Sequence, residues 1–275
     1  MEPTNIPPLT LEGHFLLHQL FRLPPSPDGE VARAERTARA EGLAQLLDGW
    51  RDLGQEGWSG LYRIVGGDTD YMLVHFRPTL EDLGEVELAL RKHPASRDLI
   101  PAGDYVSVVE LSLYHVTVLL LDEARDNGVT PGSEEWDEMV RERLAKEGAT
   151  RYAQQRLRPT QPEEMPHICF YPMDKRRDSG QNWYALPVRE RAAMMQEHGM
   201  TGRRYAGRVS QVISASVGFD DWEWAVTLFA GDPIDFKSLI MDMRYDEVST
   251  LYAEFGSFWV GHRVPPEQVA EELRP

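Results

Sequence analysis

The chain has 275 residues, with 29 Lys and Arg against 45 Asp and Glu, a formal charge of −16, 8 His and a single Cys. Its 41% hydrophobic content, with 7 Trp, 10 Tyr and 9 Phe, excludes a disordered polymer and is enough for a real core. The negative balance excludes a general nucleic-acid or anionic-lipid binder. One Cys excludes an internal disulfide or a Cys-rich zinc site and points to a reducing, cytoplasmic setting.

From Met1 to Leu9 there are acid and prolines but no basic leader followed by an apolar run, so no signal peptide is expected here. No apolar stretch approaches the roughly 18 residues of a membrane span. Leu9 to Leu23 reads as a strand, Val31 to Trp50 as a helix, and Trp58 to Val65 and Tyr71 to Phe76 as strands around the turn Gly66-Gly67-Asp68. Thr79 with Asp82 resembles a capping box opening a helix to Lys92, and Asp104 to Tyr114 is β-rich. The first half therefore runs β-α-β-β-α-β.

The second half repeats the order. His167 to Pro172 is a strand, and Pro187 to His198 a helix with Pro at its start and Gly199 just past its end. Val209 to Val217 and Trp222 to Phe229 are strands around Phe219-Asp220-Asp221. Asp232-Pro233 then starts a helix toward Met243, and Ser257 to Val264 closes. Two such units predict an α+β fold of two ferredoxin-like halves, of the dimeric α/β-barrel type. The halves are set at residues 1–121 and 167–275. Residues 122–166 form a connector with one helix, Ser133 to Lys146, which serves equally as a candidate lid or as a structural linker.

Few residues stand out for chemistry. His14, His18, His75, His93, His115 and His262 lack the spacing of a dedicated metal site, and surface or satisfied core histidines explain them more simply. His198 shares a helix face with Arg191, Met194 and Met195, which suits a hydrophobic cofactor pocket. A histidine stabilised by the helix dipole accounts for the same spacing and is favoured on spacing alone. Lys175, Arg176 and Arg177, with Arg203, Arg204, Arg208 and Arg244, could hold the carboxylates of a small anion. Solvated turn residues are the default for Arg176 and Arg177. Tyr171 with Lys175 could move protons or electrons, although a buried, hydrogen-bonded Tyr is commoner.

Longer motifs narrow the choice. CFYPMDKRR from Cys169, NWYALP from Asn182, MMQEHGMTGRRYAGRV from Met194, SVGFDDWEWAVTLFA from Ser216 and MRYDEVSTLYAEFG from Met243 together resemble the chlorite dismutase family. The resemblance is to its branch of peroxide-dependent coproheme decarboxylases, dense over Arg156 to Gly261 and weaker in the first half. It implies rings, usually homopentamers, with haem in the second half. The implied activity is hydrogen-peroxide-dependent decarboxylation of two propionates of Fe-coproporphyrin III (coproheme) to vinyls, giving haem b. A ferrochelatase would supply the coproheme.

The resemblance also implies roles. His198 would be the axial iron ligand and Tyr171 the redox-active tyrosine that takes hydrogen from a propionate. Lys175 would assist as proton donor or propionate partner. Met173, Pro172 and Asp174, in the same YPMDK motif, would belong to the substrate site. Arg156 (or its neighbour Arg158) and Ser249 would hold propionates, with Arg244 a further candidate. Gln211 would occupy the distal face, where chlorite dismutases carry Arg, so chlorite dismutation ranks below decarboxylation. A non-catalytic haem carrier or sensor, and a ferredoxin-like module without haem, are the competing classes.

Overall fold

The structure is a computed structural model and describes residues 5–274, so Met1–Thr4 of the N-terminal segment read above lie outside it. The first half comprises β1 (Thr10–Arg22), α1 (Glu30–Trp50), β2 (Trp58–Ile64), β3 (Tyr71–Arg77), α2 (Leu80–Lys92) and β4 (Ile100–Ser112). Then come α3 (Tyr114–Asp126), α4 (Glu134–Gly148) and α5 (Arg151–Leu157). The second half has β5 (His167–Lys175), the short pair β6 (Arg177–Asp178) and β7 (Gln181–Asn182), and α6 (Val188–Arg203). It continues with β8 (Val209–Ala215), β9 (Trp224–Ala230), α7 (Ile234–Met243), α8 (Glu247–Tyr252), β10 (Ala253–Phe255), β11 (Trp259–Val264) and α9 (Pro266–Glu272).

The strands form one antiparallel sheet that closes on itself. Its order is β5-β11-β2-β3-β1-β4-β8-β9, and β9 pairs back onto β5, with β10 continuing the β11 side of β5. Within it, β4-β1-β3-β2 and β11-β5-β9-β8 repeat the same order, that of two ferredoxin-like halves, as the sequence predicts. The halves meet along β4–β8 (Val108↔Ala215, Val109↔Ser214) and β11–β2 (Gly261↔Ile64 through Val264↔Leu61).

Strand alternation sorts the side chains. Leu16, Tyr62, Phe76, Phe170 and Phe229, from both halves, form one core cluster. The opposite faces pack separately, Leu43 and Leu73 of the first half with Val269 of the C-terminal α9, and Cys169, Tyr171, Leu228 and Phe236 in the second half. His18 is fully buried in the shared core, stacked on Phe170 at 3.9 Å and bonded to Thr227 Oγ1 at 2.9 Å.

Three readings need correction. The strand read as ending at Tyr114 stops at Ser112, and Tyr114 begins α3. The connector carries α5 as well as α4, because Thr150 caps a second, short helix by accepting from Ala153 N. The helix read as closing at His198 runs on to Arg203. Gly199 does not end it, since the next turn buries Thr201 and Gly202, and a Cβ on Gly202 would reach Met243 Cε at 3.1 Å. Packing against α7 overrides the glycine's weak helix propensity.

Candidate functional site

On β5 the odd-numbered residues Tyr171, Met173 and Lys175 face away from the shared core and line a cavity of ≈ 660 Å³. His198 and Gly202 of α6, Gln211 of β8, Arg244 at the end of α7 and Ser249 of α8 line it too. The opposite wall comes from earlier in the chain, through Glu110 and Ser112 of β4, Tyr114 of α3, and Tyr152 and Arg156 of α5. The sequence-derived residues Tyr171, Met173, Lys175, His198, Gln211, Ser249, Arg244 and Arg156 thus share one space.

Pro172 and Asp174 do not join them. Two-residue periodicity turns them to the other face of β5, where the Pro172 ring lies beside Gly256 and Asp174 Oδ1 accepts from Glu223 N at 2.7 Å. Arg158 is also elsewhere, on a separate pocket of ≈ 270 Å³ with His14 and Gln55. Of the basic cluster, Lys175, Arg203 and Arg244 line the cavity, whereas Arg177 pairs with Glu223, Arg176 with Glu254 and Arg208 with Asp235.

His198 sits five residues before the end of α6, so the helix-dipole account does not apply. Its Nδ1 is 2.7 Å from Asp246 Oδ2. Asp246 Oδ1 caps α8 by accepting from Ser249 N at 2.8 Å. Burial works to raise the Asp246 pKa, but the hydrogen bonds from His198 and Ser249 outweigh it and hold the carboxyl below its ordinary range. An ionised carboxylate only accepts, so Nδ1 of His198 carries a hydrogen, and in the neutral imidazole Nε2 is the nitrogen whose lone pair faces a ligand.

Tyr171 is buried and stacked on Phe258 at 4.4 Å, and burial pushes its phenol well above the ordinary value. It stays protonated. Burial likewise lowers the Lys175 ammonium to about 8, with Asp246 opposing the shift. Gln211 is tethered twice, its backbone carbonyl accepting from Arg156 Nη1 at 2.8 Å and its side-chain Nε2 donating to Gly202 O at 3.4 Å. Arg244 lies over the Phe255 ring at 4.0 Å.

The lining is mainly apolar, and its charged side chains are four cations, Arg156, Lys175, Arg203 and Arg244, against one carboxylate, Glu110. Burial raises the pKa of Glu110 and so weakens even that charge. In a chain of −16 this is a locally cationic site. Among the described residues no three His, Cys, Asp or Glu side chains cluster as a metal site would need. One oriented imidazole in an apolar slot suits an iron already held by a porphyrin ring, not a bare ion. His14, His18 and His75 instead bond to Gln55 O, Thr227 and Ser59 within the fold.

Sequence reasoning missed Asp246, although an Asp three residues before Ser249 at a helix start is a capping signal. Glu110, Tyr114 and Tyr152 carried no signal, because only the closed sheet brings β4 and the connector to this cavity.

Comparison with known proteins matches the family model described as chlorite dismutase over residues 36–264. A solved structure described as a novel haem-binding protein from Thermus thermophilus is 35% identical, with 99% of each chain covered and a TM-score of 0.81. Chlorite dismutase from Candidatus Nitrospira defluvii, in complex with imidazole, is 18% identical over 96% of each chain with a TM-score of 0.66, a likeness of fold.

Proposed function

The chain belongs to the chlorite dismutase family, and within it we propose a peroxide-dependent coproheme decarboxylase that makes haem b. The observation that carries this reading is the placement of Tyr171 and Lys175 on the cavity face of β5, in one space with His198 and the cations Arg156, Arg203 and Arg244. A plate with four propionates needs several cations around an apolar slot, and this cavity offers that combination. The haem-binding description of the Thermus relative supports a haem-type ligand.

The reaction has a simple balance. Each propionate loses carbon dioxide, one proton and two electrons to become a vinyl, and one hydrogen peroxide takes two electrons and two protons to give two waters. When bound, the iron porphyrin supplies the peroxide chemistry that no side chain here supplies. His198, oriented by Asp246, would offer Nε2 to the iron. Arg156, Lys175, Arg244 and Ser249 would hold carboxylates and fix which propionate lies near Tyr171. Tyr171, protonated and shielded from water, would give up its phenolic hydrogen on one-electron oxidation and regain it from the propionate carbon. Gln211 would contribute a neutral amide where an Arg would bring charge.

Mass spectrometry of the porphyrin after peroxide is added to the coproheme complex tests the reading. Two successive losses of carbon dioxide are expected, and Tyr171→Phe should stop both. Coproheme recovered unchanged would favour the carrier reading that the Thermus relative's description also allows. Tyr171→Phe turning over at the parent rate would remove Tyr171 from the mechanism.

A further inference from the structure

We propose that Trp183 is a positioning residue for Lys175, its indole face holding the ammonium in the cavity wall as a cation left free to meet a substrate carboxylate. This rests on reading the cavity as the coproheme site. Lys175 Nζ lies 4.7 Å from the centroid of the Trp183 ring, and Trp183 is only 1% exposed. The indole itself is locked. Tyr114 meets it edge-on at 6.2 Å and Tyr252 lies tilted against it at 5.6 Å, while Trp183 N donates to Arg176 O at 2.9 Å. The Asn182 side chain accepts from Tyr184 N and Ala185 N, pinning the turn that carries the ring.

The nearby acids are already engaged. Asp246, ahead of α8, is bonded to His198 and to the first turn of that helix. Glu223, ahead of β9, accepts the backbone N–H of Lys175 and the Arg177 guanidinium. Glu254 of β10, the strand paired with Lys175, is matched to Arg176. Glu110 of β4, the cavity's own carboxylate, accepts from Ser112 Oγ, and Asp174 accepts from Glu223 N. The remaining titratable groups around this wall are Tyr114 of α3, Tyr184 beside Trp183, Tyr252 of α8 and His198 of α6, with the Arg156, Arg203 and Arg244 cations farther round the cavity. A carboxylate partner would satisfy the ammonium's donors and compete with substrate. An aromatic face stabilises the charge through its quadrupole and leaves the N–H donors unspent. A desolvated contact of this kind is worth about a tenfold factor.

The test uses the full chain, which has four lysines, Lys92, Lys146, Lys175 and Lys237, so isotope labelling of the lysine ε-carbons gives an assignable NMR titration. In the free protein Lys175 should titrate near 8. Trp183→Leu should move that midpoint down by about one unit and Trp183→Phe by less. An unchanged midpoint in a folded Trp183→Leu protein overturns the proposal. Coproheme affinity is then measured in both backgrounds. Trp183→Leu should weaken it about tenfold in the parent and leave it unaltered in Lys175→Met. Equal weakening in both would mean that Trp183 acts through packing alone, and the proposal fails. Should Trp183→Leu not fold, Trp183→Phe carries both measurements with smaller shifts. The titration needs no porphyrin, so it decides the role of Trp183 even where coproheme proves not to be the substrate.

Discussion

Asp246 holds His198 with one carboxylate oxygen and starts α8 with the other, so a single side chain ties the imidazole to the helix that presents Ser249. The two duties can be separated. Asp246→Asn keeps an oxygen for the cap but loses the charge opposite Nδ1, and should weaken haem-type ligand binding about 10- to 100-fold with little change in stability. Asp246→Ala should add a stability loss of about 1 kcal/mol from the cap. Titration by absorbance and urea unfolding of both variants check the split.

Acid should destabilise the fold through its buried histidines. Burial lowers both His18 and His75 from 6.5 to about 3. Below about 6.5 the unfolded chain binds protons that the folded chain refuses, so stability rises with pH across this window. Full stability is present above 6.5 and is lost as pH falls toward 3. Urea unfolding at stepped pH should show the loss, and His75→Gln should reduce its slope by about one proton.

Lys175 sets an opposite limit at alkaline pH. Its lowered value near 8 means that the free protein loses this cation in mildly basic solution. The KM for coproheme should therefore rise as pH passes 8. Lys175→Arg keeps its charge to much higher pH and should flatten that rise. A rise that persists in Lys175→Arg would assign it to another group.

Gly13 places α5 against β1 and thereby places Arg156. A Cβ at Gly13 would come within 2.0 Å of Leu157 O, a backbone atom that cannot swing aside. Gly13→Ala should cost about 1–3 kcal/mol and weaken coproheme binding by displacing Arg156. Thermal unfolding and a binding titration on the same preparation check both effects.

Much of this was legible because local rules acted without competition. The Thr79 cap is made as read, Thr79 Oγ1 accepting from Asp82 N, and the two-residue alternation of β5 separates Tyr171, Met173 and Lys175 from Pro172 and Asp174. The contiguous YPMDK motif spans both faces of the strand, and only its odd-numbered residues reach the cavity. The extension of α6 past Gly199 was not legible, since it depends on contacts with Met243, forty-four residues away from Gly199 in the chain. The opposite wall of the cavity was invisible for the same reason. It exists only where β4 pairs with β8.

The closed sheet also bears on any attempt to work with the second half alone. Cutting the chain after the connector would strip β8 of β4 and β11 of β2, baring two rows of unpaired backbone groups at once. It would also remove Glu110, Tyr114 and Arg156 from the cavity. Such a fragment is expected to self-associate edge to edge with its site half open, so the two halves behave as one indivisible folding unit.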